Sequence, residues 1–353
     1  MTRERAIAWG PGVLVLVVLA FAPLLFSEFY LSAVLTKALW LGIAAVSLIF
    51  LAGYVGMVSL GQVGLYGIAG FTMANLVTAD GGADVAIDPW AAALIGLATA
   101  TLVGLFIGAI ASRSYGIYFL MITLAFGVLV YYFFGQVTDL SGFGGVNNVD
   151  RPDVVGNPLQ DPARLFYIAL GVSVAVYLLL RYVARAPLGL AFQGIRDDPS
   201  RMRALGYNVL LLRAVAFGLG AFVAALAGVL SVWWNTRISP GSISLPQTID
   251  VLVIAVIGGL YRLEGAWVGA FAFAALDNWI RGVETIGGRF NTVVGLIFLV
   301  IVLLSPGGLM GIWESATRPL RRRPATAAAA APTAETALPI ADEPHPADTG
   351  RVP

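Results

Sequence analysis

Residues 37–52 read KALWLGIAAVSLIFLA, with a single charge at the first position. The apolar run continues on both sides, since Lys37 is the only basic residue between Phe29 and Ala79 and this interval has no acidic residue. Water solvates such a segment poorly, whereas a helix of ~20 apolar residues spans the ~30 Å hydrocarbon core of a bilayer. Because every backbone N–H and C=O in lipid needs an internal partner, the segment predicts α-helices.

The rest of the chain continues this pattern. Of the 353 residues, 59% are hydrophobic and 12% are charged, about half the ~25% charged share of a soluble domain. The first apolar window is predicted to be a retained span, because no clear signal-peptide cleavage motif follows it. We predict an all-α polytopic membrane protein with about ten transmembrane helices, at residues 11–27, 33–53, 63–79, 90–111, 116–135, 164–182, 209–232, 247–260, 265–281 and 291–304.

The basic residues indicate how the chain is oriented. With a cytoplasmic N-terminus, fifteen of the 21 lysines and arginines fall inside and six fall outside, as the positive-inside rule requires. We therefore predict an N-in/C-in, multi-pass protein of the cell (inner or plasma) membrane. Its parts are a cytoplasmic N-terminus at 1–10, a transmembrane domain at 11–313, and an Ala/Pro/Thr-rich, disordered cytoplasmic tail at 314–353.

Several kinds of chemistry are missing from the sequence. There is no cysteine, and the only histidine, His345, lies in the predicted tail, which argues against a Ser-His-Asp triad and against a His or Cys metal site. The only lysine, Lys37, is followed by Ala38, so the chain has no Gly-Lys-Ser/Thr phosphate loop. We predict no catalytic residues, no metal, no cofactor and no nucleic-acid partner.

The polar segment 184–208, between the sixth and seventh spans, is predicted to be cytoplasmic. It contains a short helix signal over about residues 199–205, with Asp198 as the N-cap, Pro199 at the first helical position and Gly206 at the end of the helix. Met202 and Leu205 stand three residues apart, which predicts one shared face, with Arg201 and Arg203 beside it. Such a helix suits docking into a groove of a cytoplasmic partner, or it is a capped surface loop that touches only lipid headgroups.

Glycine-rich segments interrupt two of the predicted spans. Residues 53–70 read GYVGMVSLGQVGLYGIAG, in which Ser59 and Gln62 are the strongly polar side chains. Small residues let membrane helices approach closely, and an unwound turn can line a cavity. Gln62 is therefore interpreted either as a helix–helix hydrogen-bonding residue or as a pathway-lining residue. A second break at 257–269, IGGLYRLEGAWVG, is a weak sign of a repeat-built transporter.

In order along the chain, these segments resemble the permease subunits of branched-chain amino-acid ABC importers, of the M type. The similarity covers about residues 38–313. It lies in GYVGMVSLGQ (53–62), YGIYFLMITLAFG (115–127), the segment 185–208, the break at 257–269 and SPGGL (305–309). Three features depart from the family pattern: Gln62 replaces a histidine, Val128 replaces an acid, and the turn 144–148 reads GGVNN.

The resemblance implies a permease fold, a solute that is a branched-chain amino acid or a related small polar molecule, and several partners. These are separate ATPase subunits, a second related permease, an extracytoplasmic solute-binding protein and the lipid bilayer. It implies ATPase contacts at Arg196, Asp197, Asp198, Pro199, Arg201, Met202, Arg203, Leu205 and Gly206. Pathway candidates are Ser59, Gly61, Gln62, Thr123 and Gly127. On the external loop 136–163 and the segment 233–246, the candidates for contact with the binding protein are Asp139, Asn147, Asn148, Arg151 and Arg237.

Two other functions remain open from the sequence. One is an autonomous carrier driven by a proton or sodium gradient, and the other is a scaffold whose cytoplasmic loop recruits a partner. Proton-driven carriers usually keep acidic residues inside the helix bundle. Asp250 and Asp277 lie near predicted span ends, so they are interpreted as interfacial charges.

Overall fold

The structure, a computed structural model, describes residues 18–78, 87–156, 161–281 and 308–311, together with residues 292, 295, 296 and 299. The predicted N-terminus 1–10, the predicted tail 314–353 and most of the predicted last span lie outside this part of the chain. Of the predicted first span, 11–27, residues 18–27 are described and include the short helix Ala22–Leu25. Within it the chain is helical and has no β-strand apart from one isolated bridge, so the predicted all-α class is confirmed.

Eleven helices follow one another through the described residues. They are α1 (Ala22–Leu25), α2 (Glu28–Val55), α3 (Gln62–Val77), α4 (Pro89–Ala111), α5 (Ile117–Gln136), α6 (Pro162–Arg185), α7 (Pro187–Asp197), α8 (Pro199–Ala204), α9 (Val209–Asn235), α10 (Leu245–Gly258) and α11 (Gly265–Arg281). A single 3₁₀ turn, Pro240–Ile243, precedes α10. Five of these helices, α2, α4, α5, α6 and α9, are long and apolar enough to cross a membrane.

The predicted windows from 33–53 to 265–281 coincide with α2 to α6 and α9 to α11, with ends shifted by a few residues. Helix α7 was not predicted. It starts at Pro187, where a proline lacking an N–H costs nothing, and its apolar side chains Phe192 and Ile195 are fully buried.

Small residues set the packing of the bundle. Gly104 and Gly108 of α4 face α9, where a β-carbon added at Gly108 would lie 2.7 Å from Cβ of Phe217. Without side chains at these positions the two backbones approach closely, as membrane helices do through small residues. Helix α2 lies at the centre, with 89% of its apolar window buried, whereas α5 lies at the periphery with 22% buried.

A buried ion pair joins the first and last of the large described helices. Nζ of Lys37 in α2 lies 2.5 Å from Oδ2 of Asp277 in α11, and Asp277 is 5% exposed. Asp277 is therefore paired inside the protein and does not extend alone to the lipid headgroups. Two opposite charges in a poorly solvated interior stabilise each other as a pair, so Lys37 explains why an acid is tolerated in α11.

Both predicted glycine breaks are helix interruptions. Helix α2 ends in a π-helical turn, Leu51–Val55, followed by Gly56 at φ +74°. The chain is then non-helical until α3 begins at Gln62. At the second break, Gly259 has φ +115°, and α10 and α11 meet through the backbones of Gly258 and Gly265.

Candidate functional site

The segment 184–208 is folded back against the bundle. Helix α7 begins directly after α6, and Gly189 packs against the carbonyl of Val183, leaving no room for a side chain. Nε2 of Gln193 donates to the carbonyl of Ala184 at 3.1 Å. These contacts hold α7 against the end of α6. Helix α8, which follows α7 directly in the chain, therefore starts from a fixed position.

Helix α8 is capped at both ends by residues that adjoin it in the sequence. Oδ1 of Asp198 accepts hydrogen bonds from the N–H of Ser200 at 2.9 Å and of Arg201 at 3.0 Å, as an N-cap does. At the other end Gly206 adopts φ +88°, and the N–H of Tyr207 donates to the carbonyl of Met202 at 3.1 Å. This is a Schellman ending. The predicted helix over 199–205 is confirmed, one residue shorter.

The predicted shared face of Met202 and Leu205 is wrong. Met202 is 9% exposed and packs in a small separate core with Ala191, Ile195 and Val209. Leu205 is 65% exposed, because α8 ends at Ala204 and Leu205 occupies the non-helical cap position. Met202 therefore anchors α8 to the rest of the chain, and the exposed surface of α8 carries Arg201 and Leu205.

Arg203 and Arg213 share a contact that the sequence did not reveal. Nη2 of Arg203 donates to the hydroxyl of Tyr115 at 3.0 Å, and the guanidinium of Arg213 stacks 4.0 Å from the centroid of the same ring. Tyr115 lies in the turn between α4 and α5. Arg203 therefore contributes to fastening α8 within this chain.

Arg196 links the cytoplasmic segment to the break after α2. Its Nη1 donates to the carbonyl of Gly53 at 2.6 Å, and its Nη2 lies 2.9 Å from Oδ1 of Asp197. The Gly53 carbonyl belongs to the π-helical turn that ends α2, where carbonyls lack helical partners and carry a partial negative charge. A β-carbon at Gly56 would lie 2.8 Å from Cγ of Arg196, so the glycine makes room for the arginine.

The structure brings the five pathway candidates together where α5 crosses the start of α3. Oγ1 of Thr123 accepts from the N–H of Leu60 at 3.2 Å, and Oγ of Ser59 accepts from the N–H of Gly61 at 3.2 Å. Gly127 lies against α3, since its Cα would be 3.3 Å from a β-carbon at Gly64. All five are buried, so they form a closed contact between two helices.

Gln62 differs from the other four candidates because its polar atoms are unused. The residue is 2% exposed, and neither Oε1 nor Nε2 has a hydrogen-bond partner among the described residues. A buried polar group without a partner costs free energy. Of the two interpretations of Gln62, the helix–helix hydrogen bond is not made among the described residues.

The five candidates for contact with a binding protein lie on two connected segments. Val146 and Ile238 exchange backbone hydrogen bonds at 2.8 and 2.9 Å, which ties the α5–α6 loop to the residues after α9. Four of the five candidates, Asp139, Asn147, Asn148 and Arg237, are exposed. The fifth, Arg151, lies in a polar hollow of this loop, and its Nη1 is buried without a hydrogen-bond partner among the described residues. Burial lowers the pKa of the Arg151 guanidinium, and Asp150 opposes this shift.

Comparison with known proteins agrees with these motifs. Residues 30–304 match the family described as "Branched-chain amino acid transport system / permease component". The chain belongs to this family. The resemblance drawn from the motifs is confirmed, and these permeases are transport proteins rather than enzymes. With its apolar helices, this permease is a multi-pass inner-membrane protein.

Individual relatives of the permease are distant. It is 26% identical over 282 residues to the high-affinity branched-chain amino acid transport permease LivM of Escherichia coli K12, a match that covers 73% of this chain and 64% of LivM. It is 28% identical over 163 residues to BraD of Pseudomonas aeruginosa, covering 45% of this chain and 52% of BraD. It is also 28% identical over 153 residues to LivH of Escherichia coli K12, covering 42% and 47%. The chain thus spans less than two thirds of these relatives.

Proposed function

We propose that this permease is the transmembrane subunit of an ATP-binding-cassette importer for branched-chain amino acids or related small polar solutes. In this proposal the chain forms the translocation pathway, and separate ATPase subunits supply the energy. The ten spans and the N-in/C-in orientation, supported by the fifteen basic residues on one side, would place α7 and α8 in the cytoplasm beside the ATPase. Residues 11–313 would form the permease domain, with Arg196 to Gly206 at the ATPase contact.

The observation that carries the proposal is the hydrogen bond from Arg196 to the Gly53 carbonyl. Helix α8 is rigid because both its ends are capped, and Met202 packs it on α7. Helix α7 in turn holds the end of α2 through Arg196. Movement of an ATPase against α8 is therefore transmitted along α7 to the break between α2 and α3, where the pathway candidates lie.

This link has suitable chemistry for transmitting force. A guanidinium is charged at any physiological pH, and its hydrogen bond to a free helix-end carbonyl is charge-assisted. Fully buried Phe192 of α7 adds an edge contact to Phe50 of α2, with ring centroids 6.2 Å apart. The contact is therefore both polar and apolar, so α7 and the end of α2 move together.

The remaining partners follow from the family and from the second surface. LivM and LivH, both similar to this chain, are named as permeases of high-affinity branched-chain amino acid transport, which supports pairing with a second related permease. The exposed residues of the α5–α6 loop would face an extracytoplasmic binding protein. Arg151, whose buried Nη1 has no acceptor among the described residues, would donate a hydrogen bond to a carboxylate of that protein.

The exposed face of α8 gives the test. The importer is reconstituted in proteoliposomes with its ATPase, second permease and binding protein, and Arg201→Glu is compared with Arg113→Glu. Both arginines are exposed and both lie on the predicted cytoplasmic side, but Arg113 lies outside α8. We expect Arg201→Glu to lower ATP-driven uptake roughly tenfold, because a reversed charge at an interface costs binding energy, and Arg113→Glu to leave uptake near the wild-type rate. Equal uptake by both variants would contradict the assignment of α8.

One observation favours the second function, an autonomous carrier. Lys37 and Asp277 form an ionisable pair inside the bundle, which is where proton-coupled carriers keep their acids. The pairing itself provides a structural reason for the acid, since Lys37 neutralises it. Uptake by this chain alone, driven by an ion gradient and indifferent to ATP, would establish the carrier and reject the importer.

A further inference from the structure

The start of α3 is a buried helix end with no cap. Gly61 occupies the N-cap position and offers no side chain. Leu65 is the first residue whose N–H bonds within the helix, to the Gly61 carbonyl at 3.1 Å. No acceptor is found among the described residues for the N–H groups of Gln62, Val63 and Gly64. Gln62 and Val63 are 2% and 3% exposed, so water does not reach this turn from the surface of the structure.

A second, independent feature lies at the same place. The Gln62 carboxamide, also buried, has no partner on either polar atom. Three backbone N–H groups and both polar atoms of the Gln62 carboxamide, a two-donor NH₂ and a carbonyl oxygen, are therefore left unused within a single helical turn. Buried donors are nearly always paired in proteins, and the end of a buried helix is normally satisfied by side chains, water or a ligand.

The electrostatics of this turn select an anion. The first turn of a helix carries a partial positive charge, and its N–H groups point at the bound group. Neither α3 nor α5, which covers it, contains an acidic residue, so neither helix supplies a counter-charge. The Phe126 ring and Val130 lie within 4 Å of a β-carbon at Gly64, and the nearby hydroxyls of Ser59 and Thr123 already accept from backbone N–H groups. A carboxylate on a short aliphatic skeleton matches both properties.

Access to this turn depends on α5. Helix α5 is the least buried of the five long apolar helices. Helix α5 is hydrogen-bonded to the segment between α2 and α3 through Thr123, whose Oγ1 accepts from the N–H of Leu60. Small residues at Gly61, Gly64 and Gly127 make up the rest of the crossing, so α5 has few interlocking side chains to disengage there. Displacement of α5 would uncover the uncapped amides.

We infer that the uncapped N-terminus of α3, together with the Gln62 carboxamide, binds the carboxylate of the transported solute. This inference rests on the proposed transport function and names its ligand class, a small aliphatic carboxylate such as an amino acid. The backbone amides bind the carboxylate oxygens, and Nε2 of Gln62 donates an additional hydrogen bond. The binding site is closed in the present conformation and opens when α5 separates from α3.

The absence of cysteine from the chain provides a direct test. Val58→Cys introduces a single thiol in the break, at a half-buried position that makes none of the hydrogen bonds described. Its rate of alkylation by N-ethylmaleimide is measured on the assembled importer in lipid, without nucleotide. The probes are L-leucine, 4-methylpentanoate and the matched neutral 4-methylpentanamide. We expect both carboxylates to slow alkylation and the amide to leave it unchanged, while a control thiol at the exposed Arg113→Cys is alkylated at the same rate whichever probe is present.

Two second-site variants separate binding from folding. Gln62→Leu, of similar size, should raise the carboxylate concentration for half-protection roughly tenfold, because a hydrogen bond to a charged group is lost. Gln62→Glu places a carboxylate at the helix N-terminus, where the dipole favours its ionised form, and should abolish protection by repelling the carboxylate; thermal unfolding in detergent verifies that the variant is folded. Equal protection by the amide probe, or protection unchanged in Gln62→Glu, would overturn the inference. So would the absence of protection by any probe, since the amides would then be satisfied by water alone.

These outcomes are distinct from failure of the proposed function. Protection is measured without ATP, so it does not depend on coupling through α8. Normal ATP-driven uptake without protection by carboxylates would reject this site and retain the importer. Protection with uptake that ignores ATP would retain the site and reject the importer.

Discussion

The starts of α8 and α3 solve the same problem in opposite ways. Both helices follow a break in the chain, and both leave backbone N–H groups without helical partners. At α8 the exposed Asp198 accepts from two of these groups, and the helix is complete within its own sequence. At α3 the residue in that position is the buried Gly61, and the groups stay unpaired in the described structure. The comparison suggests that α8 is built to be moved as a unit, whereas α3 is built to receive something.

The largest expected effect comes from a substitution at Gly56, where the break after α2 contacts Arg196 of α7. Gly56 and Gly206 both have positive φ, at +74° and +88°, but only Gly56 has Arg196 against it. Gly56→Ala should destabilise the protein by roughly 3 kcal/mol, from backbone strain plus overpacking. Gly206→Ala should cost about 1 kcal/mol from strain alone. Thermal unfolding in detergent and ATP-driven uptake would measure the difference. Equal losses of stability in the two variants would show that the Arg196 side chain moves aside without a cost in free energy.

A smaller effect is expected when the link itself is removed. Arg196→Met deletes the donor to the Gly53 carbonyl and keeps much of the side-chain volume. It should weaken the α7–α2 contact by about 2 kcal/mol, the contribution of a hydrogen bond to a charged group, and should lower uptake while ATP hydrolysis continues. Arg113→Met is the matched control, because it removes an exposed arginine that lies outside the segment from Arg196 to Gly206. Coupled uptake that survives Arg196→Met would exclude this route between the helices.

The smallest effect is expected at the N-cap of α8, Asp198. Asp198→Ala should destabilise α8 by about 1 kcal/mol, since two amides lose their acceptor. Hydrogen exchange over residues 199–204 would report this as faster exchange. Asp88→Ala removes the equivalent cap of α4, which accepts from the N–H of Trp90 at 2.8 Å, and should leave exchange in α8 unchanged. Slow exchange in α8 after Asp198→Ala would mean that packing of Met202 alone holds the helix.

Local signals in the sequence were enough to predict most helices and both caps of α8. Apolar length located α2 to α6 and α9 to α11, and the Asp198-Pro199 pair with Gly206 located the short helix, because capping depends on residues within one turn. Helix α7 carried a signal that was overlooked: Pro187 at its start, followed by apolar residues at helical spacing. The order of the motifs also indicated the permease family.

Contacts between distant residues could not be predicted in this way. Arg196 meets Gly53 across 143 positions, and Lys37 meets Asp277 across 240, so no local pattern relates them. The direction of Met202 was mispredicted because it depends on α7 lying beneath it. For Lys37 a signal existed, since a lone base in a long apolar segment requires a partner, but its identity required the fold.

The pairing of Lys37 with Asp277 also orders events during synthesis. Lys37 leaves the ribosome 240 residues before its partner, so α2 enters the membrane with an uncompensated cation, which is costly in an apolar environment. Until α11 arrives, the lysine must reach toward the headgroups or rest in the insertion channel. The first long helix of the described residues is therefore neutralised only after α11 has been made, and any product truncated before Asp277 lacks the acid that neutralises Lys37.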